Sequence, residues 1–155
     1  MSIPQSGGGP IEHPDQLTEY LSSGCKPKDD WRIGTEHEKF GYCKDSQRPL
    51  PYKGERSILA VLEGLRDRFG WQPVLEGDNL IGLTLNGANV SLEPGGQLEL
   101  SGAPLETIHQ TCDEVNEHLR EVKSIADEGF ALFIVLGAAP IWSHDDMPLI
   151  PRDRL

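Results

Sequence analysis

The chain has 155 residues, enough for one ordinary domain that buries about two thirds of the surface its unfolded form exposes. A formal net charge of −11 repels phosphate backbones and anionic lipid, which argues against nucleic acid and membranes as partners and favours a small substrate accompanied by a cation. Cys25, Cys43 and Cys112 form no C-x-x-C pair, no run of about 18 apolar residues occurs, and no basic region leads into an apolar stretch, so a reduced, cytoplasmic protein is expected.

Residues 1–10, with Ser6-Gly7-Gly8-Gly9-Pro10, are too poor in apolar side chains to fold and read as a mobile arm. Pro14 suits the first turn of a short structural helix carrying Leu17, Tyr20 and Leu21 on one face and ending at Gly24. Trp31 to Tyr42 alternates in polarity and reads as a strand. Period two places Glu36 and Glu38 on one face, their Cα atoms about 6.5 Å apart, a spacing at which two carboxylates can flank a cation. His37 and Lys39 point the other way. Asp45 to Lys53 reads as a loop. Ile58, Leu62, Leu65 and Phe69 then recur at helical spacing, closed by Gly70 after Arg66 and Arg68.

Glu76-Gly77-Asp78-Asn79 and Asn86-Gly87 are turn signals on either side of Leu80 to Leu85, and they predict an antiparallel meander. The meander leads into Ser91-Leu92-Glu93-Pro94-Gly95-Gly96-Gln97-Leu98-Glu99-Leu100-Ser101, two strand pieces or one bulged strand. Leu92, Leu98 and Leu100 face the core, and Glu93, Gln97 and Glu99 project from the opposite side. If the Glu36–Glu38 strand joins this sheet, Glu36, Glu38, Glu93 and Glu99 converge. Two such charges about 6 Å apart repel by roughly 3 kcal/mol at an effective dielectric near 20, a repulsion that protonation or hard cations such as Mg²⁺ would offset, cations being favoured at neutral pH.

Pro104 and Glu106 mark the start of a long helix whose face carries Leu105, Ile108, Cys112, Val115, Leu119, Val122 and Ile125, ending at Gly129. Cys112 reads as a packed thiol in that stripe, and His109 and His118 lie on opposite sides of the helix, forming no metal pair. Phe130 to Leu136 reads as a strand buried on both faces that needs a covering partner. Pro140 onward is irregular, and the stop at Arg154-Leu155 reads as a cut.

Four segments carry a family resemblance: Ile33-Gly34-Thr35-Glu36-His37-Glu38-Lys39-Phe40, Leu75-Glu76-Gly77-Asp78, Ser91 through Thr107, and His109-Gln110-Thr111-Cys112. In this order they resemble glutamate-cysteine ligase of the plant and alphaproteobacterial type, from about Pro10 to Pro151. The resemblance implies an α+β fold like the glutamine synthetase and guanidino kinase catalytic fold, present in part, with an antiparallel sheet as active-site floor and helices packed on one face. It implies that residues 11–155 are the N-terminal part of a catalytic domain. The implied reaction uses ATP and Mg²⁺ to phosphorylate the side-chain carboxylate of L-glutamate, after which the amine of L-cysteine attacks, the first step of glutathione synthesis.

Carried over by motif, Glu36, Glu38, Glu93 and Glu99 become metal and phosphate ligands, Glu36 and Glu93 the catalytic pair among them, and Gln97 a cofactor-orienting contact. Phe130 to Val135 and Arg152-Asp153-Arg154-Leu155 depart from the expected pattern, and no partner for Cys112 in a redox switch is recognisable. The alternative is a catalytically incomplete fragment that keeps the Mg²⁺- and ATP-binding floor or serves as an interaction domain. Such a fragment, exposing the apolar edge around Leu132 to Leu136, is expected to self-associate or to be marginally stable.

Overall fold

The computed structural model describes residues 9–126, 130–139 and 141–151. Six strands form one antiparallel sheet: β1 (Glu36–Cys43), β2 (Gln72–Glu76), β3 (Asn79–Leu85), β4 (Ala88–Glu93), β5 (Gln97–Ser101) and β6 (Ala131–Ile134). Their order across the sheet is β2-β3-β4-β5-β1-β6, so the meander β2 to β5 is continuous and β1 closes onto β5. Asn86 and Gly87, both at positive φ (50° and 88°), make the tight β3–β4 connection in which Leu85 pairs with Ala88, the conformation that an Asn-Gly hairpin supplies.

The Ser91 to Ser101 stretch resolves into the end of β4 and all of β5, joined by a short helical turn at Pro94–Gly96. Gly95 and Gly96 both take φ of 77° there, which a side chain would resist.

Helix α2 (Ile58–Phe69) forms as its periodicity predicts: the Ser57 hydroxyl caps it by accepting from the Ala60 N–H, and Gly70 ends it in the left-handed region. Its Ile58, Val61, Leu62 and Leu65 pack on Leu83, Val90, Leu92, Leu98 and Leu100. Helix α3 (Ile108–Ala126) lies beside α2 on the same face and adds Val122 and Ile125. The sheet thus has an apolar back under two helices and a polar front.

Several expectations need correction. Helix α1 (Asp15–Ser23) forms between Pro14 and Gly24 but buries none of its residues, so it is not a packing element. Within the Trp31 to Tyr42 stretch the strand begins only at Glu36, and it runs on to Cys43; before it, Ile33 makes an isolated bridge to Leu105, which holds Leu105 outside α3. The inward face of α3 runs through Thr111, His118, Val122 and Ile125, leaving Ile108 and Cys112 exposed, so Cys112 is not a packed thiol. Strand β6 is an edge strand with Leu132 41 % exposed, not a strand buried on both faces. The loop after β1 carries buried Leu50 and Tyr52, and the Tyr52 hydroxyl donates to the Leu80 carbonyl. The glycine arm over residues 1–8, the helix end at Gly129, Pro140 and the last four residues lie outside the described residues.

Candidate functional site

Alternation along the strands and antiparallel register put the front-face side chains on three rungs. One rung runs Glu38, Glu99, Ser91, Gly82, because Glu38 pairs with Glu99, Glu99 with Ser91 and Ser91 with Gly82. The next runs Glu36, Ser101, Asn89, Thr84. The third pairs Glu93 with Gln97. Glu36, Glu38 and Glu99 therefore stand on adjacent strands about 5 Å apart, while Glu93 lies one strand further on and on a different rung.

Two hydrogen bonds organise these groups. The Gln97 amide donates through Nε2 to Glu38 Oε2 at 2.6 Å, and Ser101 Oγ donates to Glu99 Oε1 at 2.7 Å. Gln97 thus holds the Glu38 carboxylate by its amide. Glu99 is only 4 % exposed, so its charge is set deep in the sheet surface. Ser91 Oγ and Asn89 Oδ1 are buried on the same face with no hydrogen-bond partner among the described residues. Both continue the alternation that ends in Glu93, a signal that marks them as floor residues although the chemistry of acids alone passed over them.

Behind the front face lies a group that sequence reasoning placed on the other side without foreseeing its burial. Lys39 is wholly buried, with Nζ 3.0 Å from His37 Nδ1 and donating to the His37 carbonyl at 3.0 Å. Burial pulls its pKa down to about 8, against the opposing pull of the Glu99 carboxylate. His37 is likewise lowered, by burial first and then by Lys39. A buried ammonium one residue along from Glu38 therefore offsets part of the carboxylate repulsion from within the protein, a contribution that the sequence, which suggested protonation or external cations, did not disclose.

The donor set on the front is hard oxygen throughout, the kind Mg²⁺ prefers. The buried Ser91 and Asn89 oxygens on the floor fit such a set. As the side chains stand, no group of three or more His, Cys, Asp or Glu among the described residues could hold a metal ion. The arrangement is a polar platform and not a closed cage.

At one end the platform is bordered by the C-terminal segment. Trp142 packs edge-on against Phe40 and Tyr42, with ring centroids 5.9 and 6.3 Å apart, and donates through Nε1 to the Gln47 carbonyl. Arg48 and Asp146 pair at 2.7 Å, and the Asp146 carboxylate is held below its usual range by hydrogen bonds from Ser143 and then by Arg48. Met147 lies over Gly95 and Pro148 beside Gly96, so a Cβ at Gly95 would meet the tip of the Met147 side chain and one at Gly96 would press on Pro148. Between the glycine turn and this segment a cleft of about 500 Å³ opens, lined by Pro94 and Gly95 on one side and by His144 and Met147 to Ile150 on the other.

Comparison with known proteins bears on this face. The model of glutamate-cysteine ligase family 2 matches residues 32–155. The chain is 54 % identical to the chloroplastic glutamate-cysteine ligase of Medicago truncatula, over 89 % of this chain and 27 % of that protein. It is 46 % identical to the chloroplastic glutamate-cysteine ligase A of Oryza sativa subsp. japonica, over 99 % of this chain and 34 % of the relative, and 52 % identical to the chloroplastic ligase of Nicotiana tabacum, over 90 % and 26 %. The chain spans about a quarter to a third of the length of these relatives. Their names also carry a correction: each is a chloroplastic protein, which points to the chloroplast and against the expected cytoplasmic location. Widely spaced thiols and an acidic surface carry no address, which is why composition misjudged the compartment. Among the described residues no helix is long and apolar enough to cross a membrane.

Proposed function

Because the chain belongs to glutamate-cysteine ligase family 2, we propose that its front face is the floor of an ATP-dependent ligase site joining L-glutamate to L-cysteine, in a fold of the glutamine synthetase and guanidino kinase type. Residues 11–155 are the N-terminal part of that catalytic domain, and basic groups that grip the substrates come from beyond this span. The observation that carries the reading is the in-register Glu38–Glu99 pair, with Glu36 beside it and Gln97 bonded to Glu38, on the polar face of a sheet whose other face is core.

In this reading Glu36, Glu38, Glu93 and Glu99 would hold Mg²⁺ on ATP phosphates. When bound, Mg²⁺-ATP supplies the phosphoryl group that activates the glutamate side-chain carboxylate as an acyl phosphate, which the cysteine amine then opens with release of phosphate. The chain's own residues contribute positioning. Gln97 fixes the Glu38 carboxylate, Ser101 fixes Glu99, and Lys39 behind the sheet keeps a crowded set of negative charges tolerable until cations arrive.

The experiment is ADP release by the 155-residue chain with Mg²⁺-ATP, with L-glutamate and L-cysteine added singly and together. Release that needs both supports the ligase reading, and its loss in Glu36→Gln or Glu93→Gln assigns the clamp. A second reading is a non-catalytic module that pairs with another chain. It is favoured by the free edge of β6, where Leu132, Val135 and Leu136 are 41, 54 and 42 % exposed. A folded chain that releases no ADP and sediments as an oligomer supports that module instead.

A further inference from the structure

On the helix side, away from the proposed catalytic face, α3 and the margin of the sheet border an open cavity of about 370 Å³. Three carboxylates, Asp113, Glu117 and Glu121, follow one another at four-residue spacing along α3 and line it, with Glu114 and His118 on the adjoining row. Among the described residues no lysine or arginine lines the cavity. Like charges one turn apart disfavour a helix, a repulsion that Arg120 eases at Glu121 and that a further cation facing the row would relieve.

A second, independent observation comes from His118. It is 2 % exposed, it lines the cavity, and neither ring nitrogen has a hydrogen-bond partner among the described residues. A buried imidazole left so costs free energy that a bound group would recover. Burial first, then Lys39 and His37, push its pKa down to about 3, so the ring is neutral and offers one acceptor and one donor. Beside it, Glu114 uses Oε1 to accept the Ala103 N–H, while its buried Oε2 has no partner among the described residues.

The acceptors are strung out. Asp113 to Glu121 covers about 12 Å of helix, and no three of these groups stand close enough to hold a metal ion. That distribution matches an extended cation better than a point charge. Leu100 and Leu105 give the wall an apolar strip for a hydrocarbon stem, and Trp71, whose Nε1 donates to Glu121 Oε2 at 3.0 Å, closes one side.

We propose that this cavity binds a linear aliphatic di- or polyamine, one ammonium group seated against His118 and Glu114 and another against Glu117 and Glu121. The test is calorimetric titration of the 155-residue chain, at low ionic strength, with 1,4-diaminobutane and with spermidine, using 1,4-butanediol as the uncharged control. Saturable one-to-one binding of an amine, and none of the diol, is expected. The double variant Glu117→Gln/Glu121→Gln is expected to weaken binding about tenfold or more. His118→Phe, which keeps the ring and removes both nitrogens, is expected to weaken it as well. Asp29→Asn/Asp30→Asn removes the same charge from an exposed turn and is expected to change the affinity by less than about twofold. Absence of saturable binding, or equal weakening by the two double variants, overturns the proposal, since the second result would mean that the amine responds only to overall negative charge.

Discussion

The two faces of β1 put opposite charges into opposite surroundings. Glu36 and Glu38 project to the polar front beside Gln97 and Glu99, while two residues of the same strand, His37 and Lys39, point back toward α3 and His118. On the front, charge lies where a ligand can reach it. On the back, charge has been taken from water, and the protein bears the cost in shifted proton affinity, with Lys39 at about 8 and His118 at about 3. The front is therefore where substitution alters chemistry, and the back is where substitution or pH alters stability.

The largest expected effect is on the acid side. His118 in the folded chain refuses a proton that the unfolded chain accepts below its ordinary pKa of 6.5, so its contribution is fully present above pH 6.5 and is lost as pH falls toward 3. That window corresponds to as much as about 5 kcal/mol. Chemical denaturation followed by circular dichroism from pH 7 to 4 is expected to show a steep loss in the natural chain and a shallower one in His118→Phe. Parallel curves would mean that His118 is not the group refusing the proton.

Next comes a pair of neighbours on β5. Leu98 is fully buried at the back and Gln97 faces the front, so Leu98→Ala is expected to cost about 2–5 kcal/mol in denaturant unfolding. Gln97→Ala is expected to cost less than about 1 kcal/mol. Equal losses would erase the distinction between the faces.

Lys39 gives a third test, with the opposite sense in pH. The unfolded chain keeps this proton up to about 10.5 and the folded chain releases it near 8, so stability is expected to rise by about 3 kcal/mol between those limits. Lys39→Met is expected to remove that rise. An unchanged alkaline limb would show that the ammonium reaches water.

How far the sequence disclosed this arrangement depended on whether a residue's neighbours obeyed its period. Strands β3, β4 and β5 were readable because Leu and Val alternate with polar residues between Asp-Asn, Asn-Gly and Pro-Gly-Gly turns, and α2 because Ile58, Leu62 and Leu65 keep helical spacing up to Gly70. The front-face acids were readable for the same reason.

Strand β2 escaped notice because it is an outer strand with one partner, and Pro73 within it breaks the usual signal. In the N-terminal half of α3 apolar Ile108 and Cys112 invite the core face, but polar Thr111 and His118 occupy it, His118 beside the cavity. The depth of Lys39 could not be read, since alternation assigns a side but not what covers it.

The central claim, that the front acids form a cation-dependent nucleotide platform, is tested most directly by calorimetric titration of the chain with a non-hydrolysable ATP analogue, with and without Mg²⁺. The double variant Glu38→Gln/Glu99→Gln is measured in parallel. The account predicts binding that requires Mg²⁺ and weakens at least about tenfold in the variant, with the thermal transition retained. Binding that is indifferent to Mg²⁺, or equally tight in the variant, would contradict it.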